Sequence, residues 1–383
     1  MRLLFKLMLG FTTMMAITQA NADINVGVIV SLTGPAASAG IPERDSIVLW
    51  SKHIAGHKVN LTILDDASDP SKTTAAARKL VTEKNVDVLI GASVTPTTLA
   101  ALQVAAETHT PLISIAGGGA IVNPQDDIRK WAFKMPPPEE IPLGMIYDTM
   151  KKQGKKSLAI VAMSNAYGQT FVDIAQKTVG KAGIDLVRVE RFGAADTSFV
   201  SQAMKLIHAK PDAILIVAAG SPAVMPQLEL KSRGYDGMIF QTQAVAGNDF
   251  LRLGGKALNG TYMPVSPFLV AEQLPDGNPT KVTGKRYVDL YEAKYGPGSR
   301  SLFGGCAWDT LLLLEDAAKR VPKTAQPGTP AFRAALRDAL EHTHELVLTQ
   351  GVYNMTPADH NGADARSQVM VRIEDGKWRY VAQ

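Results

Sequence analysis

The chain has 383 residues, 46% hydrophobic and 20% charged, a balance that fits two globular domains and excludes disordered and fibrous classes. The formal net charge is only +4 and no Lys/Arg-rich run occurs, so nothing in the charge pattern calls for a nucleic acid. With one cysteine, Cys306, no internal disulfide can form, and the fold must rest on its apolar core.

Met1–Ala22 reads as an export signal. Arg2 and Lys6 precede the apolar stretch Leu7–Ile17, which is too short for a typical membrane-spanning helix, and Ala20-Asn21-Ala22 fits the small-x-small cleavage rule. The mature chain is expected to begin at Asp23, where loss of Arg2 and Lys6 lowers the net charge by two, to +2. No later stretch is apolar enough to span a bilayer, so an exported protein without membrane insertion is expected. Cys306 reads as a small buried residue rather than a reactive thiol.

Strand and helix patterns then alternate. Asn25–Val30 is the first strand, broken by Ser31–Pro35, and Ile41–Ala55 carries apolar residues at helical spacing. Val59–Leu64 is a strand ending in Asp65, Asp66 and Asp69-Pro70, where Asp69 suits a helix cap and Pro70 the first turn. Val86–Ile90 is an apolar strand ending in Gly91-Ala92-Ser93, Thr97–Thr108 is a helix, and Pro111–Ile115 is a strand ending in Ala116–Gly119. Pro136–Pro138 excludes a helix interior and marks a crossover. The alternation restarts with strands at Ser157–Ala162, Asp185–Phe192, Ala213–Val217 and Met238–Gln241, with helices between them. Gly260–Val265 reads as a second crossover, followed by helices Thr280–Tyr295, Ala307–Arg320 and Pro330–Leu340. A third crossing is expected near Thr349–Gly351, and an Asp375-Gly376 turn joins two closing strands. The fold class is α/β, two doubly wound parallel-sheet lobes joined by a three-segment hinge. The signal is assigned to 1–22, one lobe to 23–137 and 266–348, the other to 138–265 and 349–383.

In open parallel sheets ligands bind outside the carboxyl ends of the strands. Ser93 and Thr95 lie at such an end, before a helix whose N–H groups and dipole suit an anion; capping that helix would use the same donors. Ala116, Gly117 and Gly118 offer backbone N–H groups with little side chain in the way.

Several segments together resemble the type I periplasmic solute-binding proteins of ABC importers, in their branched-chain amino-acid-binding branch. They are Val26–Pro35, Leu64-Asp65-Asp66 through Asp69-Pro70, Ala77–Leu80, Val86–Gly91 and Asn165–Gly168. The resemblance implies two lobes closing over a small ligand that is handed to an inner-membrane permease, no cofactor, no enzymatic activity and a monomer. It also places Tyr167 against the ligand from the second lobe and Trp308 in an aromatic pocket, although either could instead be ordinary packing.

Two departures from that family bear on the ligand. Where amino-acid-binding members place an acid for the ligand's ammonium, this chain has Gln243, and an amide cannot neutralise a buried cation. Ser38-Ala39-Gly40 puts small residues where relatives carry an aromatic, so Ser38 and Gly40 join the candidate site with space beside them. Both point to a small carboxylate lacking an amine, with an aromatic acid such as a benzoate or phenylpropanoid as the leading reading. An amino acid is the alternative, and a sensor presenting its ligand to a chemoreceptor is an alternative of another class. Hydrolase chemistry finds no second glycine after Gly91-Ala92-Ser93 to make a nucleophile elbow. His342, His344 and His360 lack the spacing of a metal motif and read as a solvated loop.

Overall fold

The computed structural model describes residues 22–382, so the expected export signal lies, apart from Ala22, outside the described residues. Strands β1 (Ile24–Val30), β2 (His53–Ile54), β3 (His57–Asp65), β4 (Val88–Gly91), β5 (Leu112–Ser114) and β6 (Ala132–Lys134) form a first sheet in the order β2-β3-β1-β4-β5-β6. All pairs are parallel except the β2–β3 hairpin. Val26, Val28, Leu89 and Ile90 are fully buried because helices cover both faces, which is why these strands read as continuous apolar runs. Helices α2 (Pro70–Lys84) and α3 (Thr95–Glu107) pack Ala77, Leu80, Ala101 and Ala105 over Leu89 and Leu112. Asp69 caps α2, accepting from Ser71 N at 2.7 Å and Lys72 N at 3.0 Å, with Pro70 in the first turn.

The first helix departs from the sequence reading. Helix α1 spans Ala37–Ile47, four residues earlier than Ile41 and ending eight short of Ala55. Its start escapes periodicity because Ala37–Gly40 has no large apolar side chain: Gly40 lies so close to β1 that a Cβ there would sit 2.1 Å from Ser31 O. Residues 53–58 instead make a hairpin around Ala55 and Gly56, at φ +50° and +85°.

The second lobe contains α4 (Glu140–Lys152), β7 (Ser157–Met163), α5 (Ala166–Thr178), β8 (Asp185–Phe192), α6 (Val200–His208), β9 (Ala213–Val217), α7 (Val224–Ser232), β10 (Met238–Gln241), α8 (Asn248–Gly254) and β11 (Tyr262–Val265). The chain then supplies α9 (Lys281–Tyr295), α10 (Leu302–Arg320) and α11 (Pro330–Leu340) to the first lobe. There α10 packs along α1, Tyr287 Oη lies 2.8 Å from Ser46 Oγ, and Asn85 Nδ2 donates to Gly328 O at 3.0 Å. A ribbon of β12 (Leu346–Val347) and β13 (Val352–Tyr353) follows, then β14 (Val369–Glu374) and β15 (Lys377–Tyr380). The second sheet has the order β15-β14-β11-β10-β9-β7-β8, parallel except for the edge formed by β14 and β15. Asp375 and Gly376, at φ +49° and +69°, close the β14–β15 hairpin.

Two crossings differ from the sequence reading. Pro264 lies inside β11, opposite Met370 of β14; β10 ends at Gln241, so no neighbour on that side asks for the N–H that proline lacks. After Gly351 the chain does not return at once to the second sheet. Tyr353 Oη donates to Met135 O at 2.6 Å, and Lys134 N donates to His360 O at 3.0 Å, so this segment packs against the end of β6 before β14 begins. His360 is buried rather than solvated, stacked on Phe133 with ring centroids 4.3 Å apart. His342 and His344 are exposed. Among the described residues no helix is long and apolar enough to cross a membrane, and no group of three or more His, Cys, Asp or Glu side chains is placed to hold a metal ion.

Candidate ligand-binding site between the lobes

Each sheet has one point where strand order reverses: between β1 and β4 in the first lobe, and between β7 and β9 in the second. Connections leave such a point in opposite directions and open a crevice beyond the strand ends. A cavity of about 210 Å³ lies there, lined by both lobes. The first lobe contributes Pro35, Ala36, Ser93, Thr95 and Gly117, and the second Met163, Asn165, Tyr167, Ala219 and Pro222.

Six of the ten residues singled out from the sequence line this cavity: Ser93, Thr95, Ala116, Gly117, Tyr167 and Gln243. Gly118 lies just behind it, donating its N–H to Thr95 Oγ1 at 3.1 Å, and a Cβ on Gly118 would meet Thr95 Cγ2 at 2.5 Å. Gly40 is spent on the close approach to Ser31. Ser38 lines a separate polar cavity of about 150 Å³ with Ser221, Asn248 and Ser301. Trp308 faces away from the main cavity and packs on Tyr287, with centroids 5.6 Å apart. From the same helix, Leu302, Phe303 and Cys306 reach the cavity instead. Sequence reasoning missed these because a helix buried on several faces gives no sign of which face meets the ligand.

The backbone donors are fewer than the sequence suggests. Ala116 N donates to Ser114 Oγ at 3.1 Å, Gly118 N to Thr95, and Gly119 N to Glu139 Oε1 at 2.7 Å. Gly117 N has no such partner, and the position is open enough that a Cβ would only touch the Tyr167 ring at 3.4 Å. Helix α3 begins at Thr95 without a side-chain cap. Ser93 and Thr95 do not cap it: Ser93 Oγ accepts from Ser31 N at 2.9 Å and is hydrogen-bonded to Glu43, while Thr95 Oγ1 accepts from Gly118 and keeps its own hydrogen. In the first turn of α3 Pro96 has no N–H and Thr98 N donates to Val94 O at 2.9 Å, which leaves the Thr95 and Thr97 N–H groups available at this end.

The other end is neutral. Among the described residues no Asp, Glu, Lys, Arg or His lines the cavity. Burial raises the Tyr167 phenol far above its usual range, so it stays a neutral hydroxyl. Gln243 Oε1 accepts from Ser266 Oγ at 3.1 Å and Gln368 Nε2 at 2.9 Å, which leaves its Nε2 as the group for a ligand. Asn165 is committed to capping α5, accepting from Gly168 N at 3.0 Å. The Cys306 thiol is buried, donates to Gln350 Oε1 at 2.9 Å, and is pushed up by burial, so it is an un-ionised wall of the cavity.

A periplasmic binding protein family model matches residues 23–377. A crystal structure of an extracellular ligand-binding receptor from Rhodopseudomonas palustris HaA2 is 40% identical, with a TM-score of 0.91 over 94% of this chain and 100% of that one. The Leu/Ile/Val-binding protein homolog 1 of Brucella melitensis is 24% identical over 335 residues, 83% of this chain and 85% of its own. A solute-binding protein of an ABC transporter from R. palustris, solved in complex with benzoate, is 20% identical with a TM-score of 0.77, covering 94% and 95% of the two chains.

Proposed function

From a chain that belongs to the periplasmic binding protein family, we propose the substrate-binding component of an ABC importer that captures a small carboxylate lacking an amine, an aromatic acid in the leading reading. One observation carries this: the interlobe cavity has uncommitted donors at one end and, among the described residues, no ionised side chain on its lining. The ligand's carboxylate meets Thr95, Ser93, Gly117 N and the open turn of α3, where N–H groups and helix dipole favour an anion. The remainder lies against Phe171, Met163, Leu302 and Phe303, an apolar enclosure suited to a ring. An ammonium would be buried there without a counter-charge, at a cost of several kcal/mol. Gln243 Nε2 and the Tyr167 hydroxyl can serve a polar ring substituent. The site in the cell is the periplasm and the partner an inner-membrane permease.

The test is isothermal titration of the mature protein with two panels: benzoates, phenylpropanoids and aliphatic acids against leucine, isoleucine, valine and other amino acids. Binding by amine-free acids alone is expected. Tight binding of leucine or valine, in keeping with the names of the Brucella relatives, would overturn the ligand reading while leaving the transport role in place.

A further inference from the structure

Glu43 of α1 does not line the cavity and is fully buried. Its Oε2 is hydrogen-bonded to Ser93 Oγ, and its Oε1 has no partner. Ser93 Oγ also accepts from Ser31 N at 2.9 Å. A serine hydroxyl has one hydrogen and two lone pairs, so the proton on Glu43 decides which of these the cavity meets. With Glu43 neutral, its O–H and the Ser31 N–H occupy both lone pairs, and the Ser93 hydrogen is left for a ligand. With Glu43 ionised, Ser93 gives its hydrogen to Glu43 and turns a lone pair toward the cavity. An ionised carboxylate only accepts hydrogen bonds; the first state binds it and the second repels it.

We propose that Glu43 is a proton-holding positioning residue whose neutral carboxyl makes Ser93 a donor to the ligand's carboxylate, so that capturing the anion and keeping one proton are coupled. The inference rests on the reading of the ligand as a carboxylate held at Ser93 and Thr95. The surroundings favour the proton. An unpartnered carboxylate oxygen away from water is costly, which favours the neutral acid. Asp66 faces this region from the turn after β3, held by Ser31 Oγ at 2.7 Å and Thr73 Oγ1 at 3.1 Å. Burial, opposed by the hydrogen bond from Ser93 and reinforced by repulsion from Asp66, pushes Glu43 up to about 8. Of the elements packed against α1, β1 carries no titratable side chain, α10 brings Cys306 and Asp309, and α9 brings Tyr287, Tyr291 and Tyr295, the last donating to Asp45 O at 3.1 Å. On α1 itself Arg44 is engaged with Asp45 at 2.5 Å.

The test follows benzoate and 3-phenylpropionate, ionised throughout, by calorimetric titration from about pH 6 to about pH 9.5. For the wild type, affinity should be level at the acid end and fall about tenfold per pH unit above about pH 8. Glu43→Gln, whose amide N–H donates to Ser93 at every pH, should bind within a few-fold of wild type at the acid end and show no fall. Wild-type binding at about pH 9 should take up close to one proton, read from the dependence of the binding enthalpy on the buffer's ionisation enthalpy. That readout decides the matter even if the variant does not fold. A level wild-type profile, a fall that persists in Glu43→Gln, or no proton uptake overturns the inference and leaves the carboxylate reading standing. Failure of both acids, and of the aliphatic acids, to bind at the acid end removes that reading and this inference with it.

Discussion

At Ser93 and Thr95 two hydroxyls are already held by neighbours and still have one bonding direction each for the cavity. Both are nearly fully buried, at 4% and 2% exposure, so their geometry is fixed before a ligand arrives. A hydrogen bond to a charged group contributes about 1.5–3 kcal/mol, so Ser93→Ala with Thr95→Ala should weaken a bound carboxylate by roughly a hundredfold or more, with unchanged far-ultraviolet circular dichroism. Unchanged affinity in that double variant would place the carboxylate elsewhere. Glu43 carries a further consequence for stability. Its folded pKa of about 8 lies above the ordinary 4.5, so between those values the folded state keeps a proton that the unfolded chain has lost, and stability falls as pH rises through that window. Glu43→Gln removes the loss. Its stability relative to wild type should improve by about 1.4 kcal/mol per pH unit up to about pH 8 and then level off, measured by urea unfolding of the ligand-free protein. A constant difference between the two proteins across that range would show that Glu43 does not hold a proton when folded.

At the scale of elements, the first crossing depends on Lys134 at the end of β6. This lysine is fully buried, and its Nζ donates to the carbonyls of Gly117, Pro136 and Pro137 at 3.1, 2.6 and 3.0 Å. Burial lowers its pKa, opposed by the nearby Glu139. The prolines supply carbonyls but no N–H groups, so the segment cannot satisfy itself locally and needs a donor brought from outside. Lys134→Met should leave the Gly117 and Pro137 carbonyls without this donor, Pro136 O keeping its bond from Asn361 Nδ2 at 2.7 Å, and lower stability by about 3 kcal/mol, read from the urea midpoint. The same elements show what a sequence can and cannot say. The cap at Asp69, the turn at Asp375-Gly376 and the apolar runs of β4 and β9 are set by neighbours in sequence, and they were legible. Lys134 reads as an ordinary surface lysine, since only the fold brings carbonyls to it. The start of α1 and the true face of α10 were hidden for a related reason: Gly40 answers to Ser31, and Phe303 and Cys306 answer to the opposite lobe. Trp308, the conspicuous aromatic, packs on Tyr287. The strand-end loops could be found because parallel topology alone dictates where a crevice opens, whereas which of their N–H groups stay free depends on Ser114, Thr95 and Glu139, up to 23 residues away.

Across the whole molecule the two lobes meet through the cavity and through a buried polar junction beside it. Ser266, where the chain leaves β11, has its Oγ 3.1 Å from Gln243 Oε1 and 3.2 Å from Gln350 Oε1 and can give its one hydrogen to either. Gln350 and Thr349 in turn bond to Asp309 of α10. Gln243 therefore touches the cavity with one end of its amide and the chain crossings with the other, so a ligand bonded to its Nε2 would be linked to those crossings through a single side chain. Tyr167 supplies the opposing contact, its ring lying across from Gly117. If closure is what the ligand stabilises, saturating benzoate or another amine-free acid should lower the radius of gyration in small-angle X-ray scattering. Tyr167→Phe loses one hydrogen bond and should keep the compaction with about fivefold weaker binding. Tyr167→Ala removes the ring that bridges the lobes and should cost about a hundredfold in affinity and most of the compaction. Equal compaction in Tyr167→Ala and wild type would mean that closure is driven from the Gln243 junction alone. An unchanged radius of gyration in the saturated wild type would mean that the ligand does not stabilise a closed form.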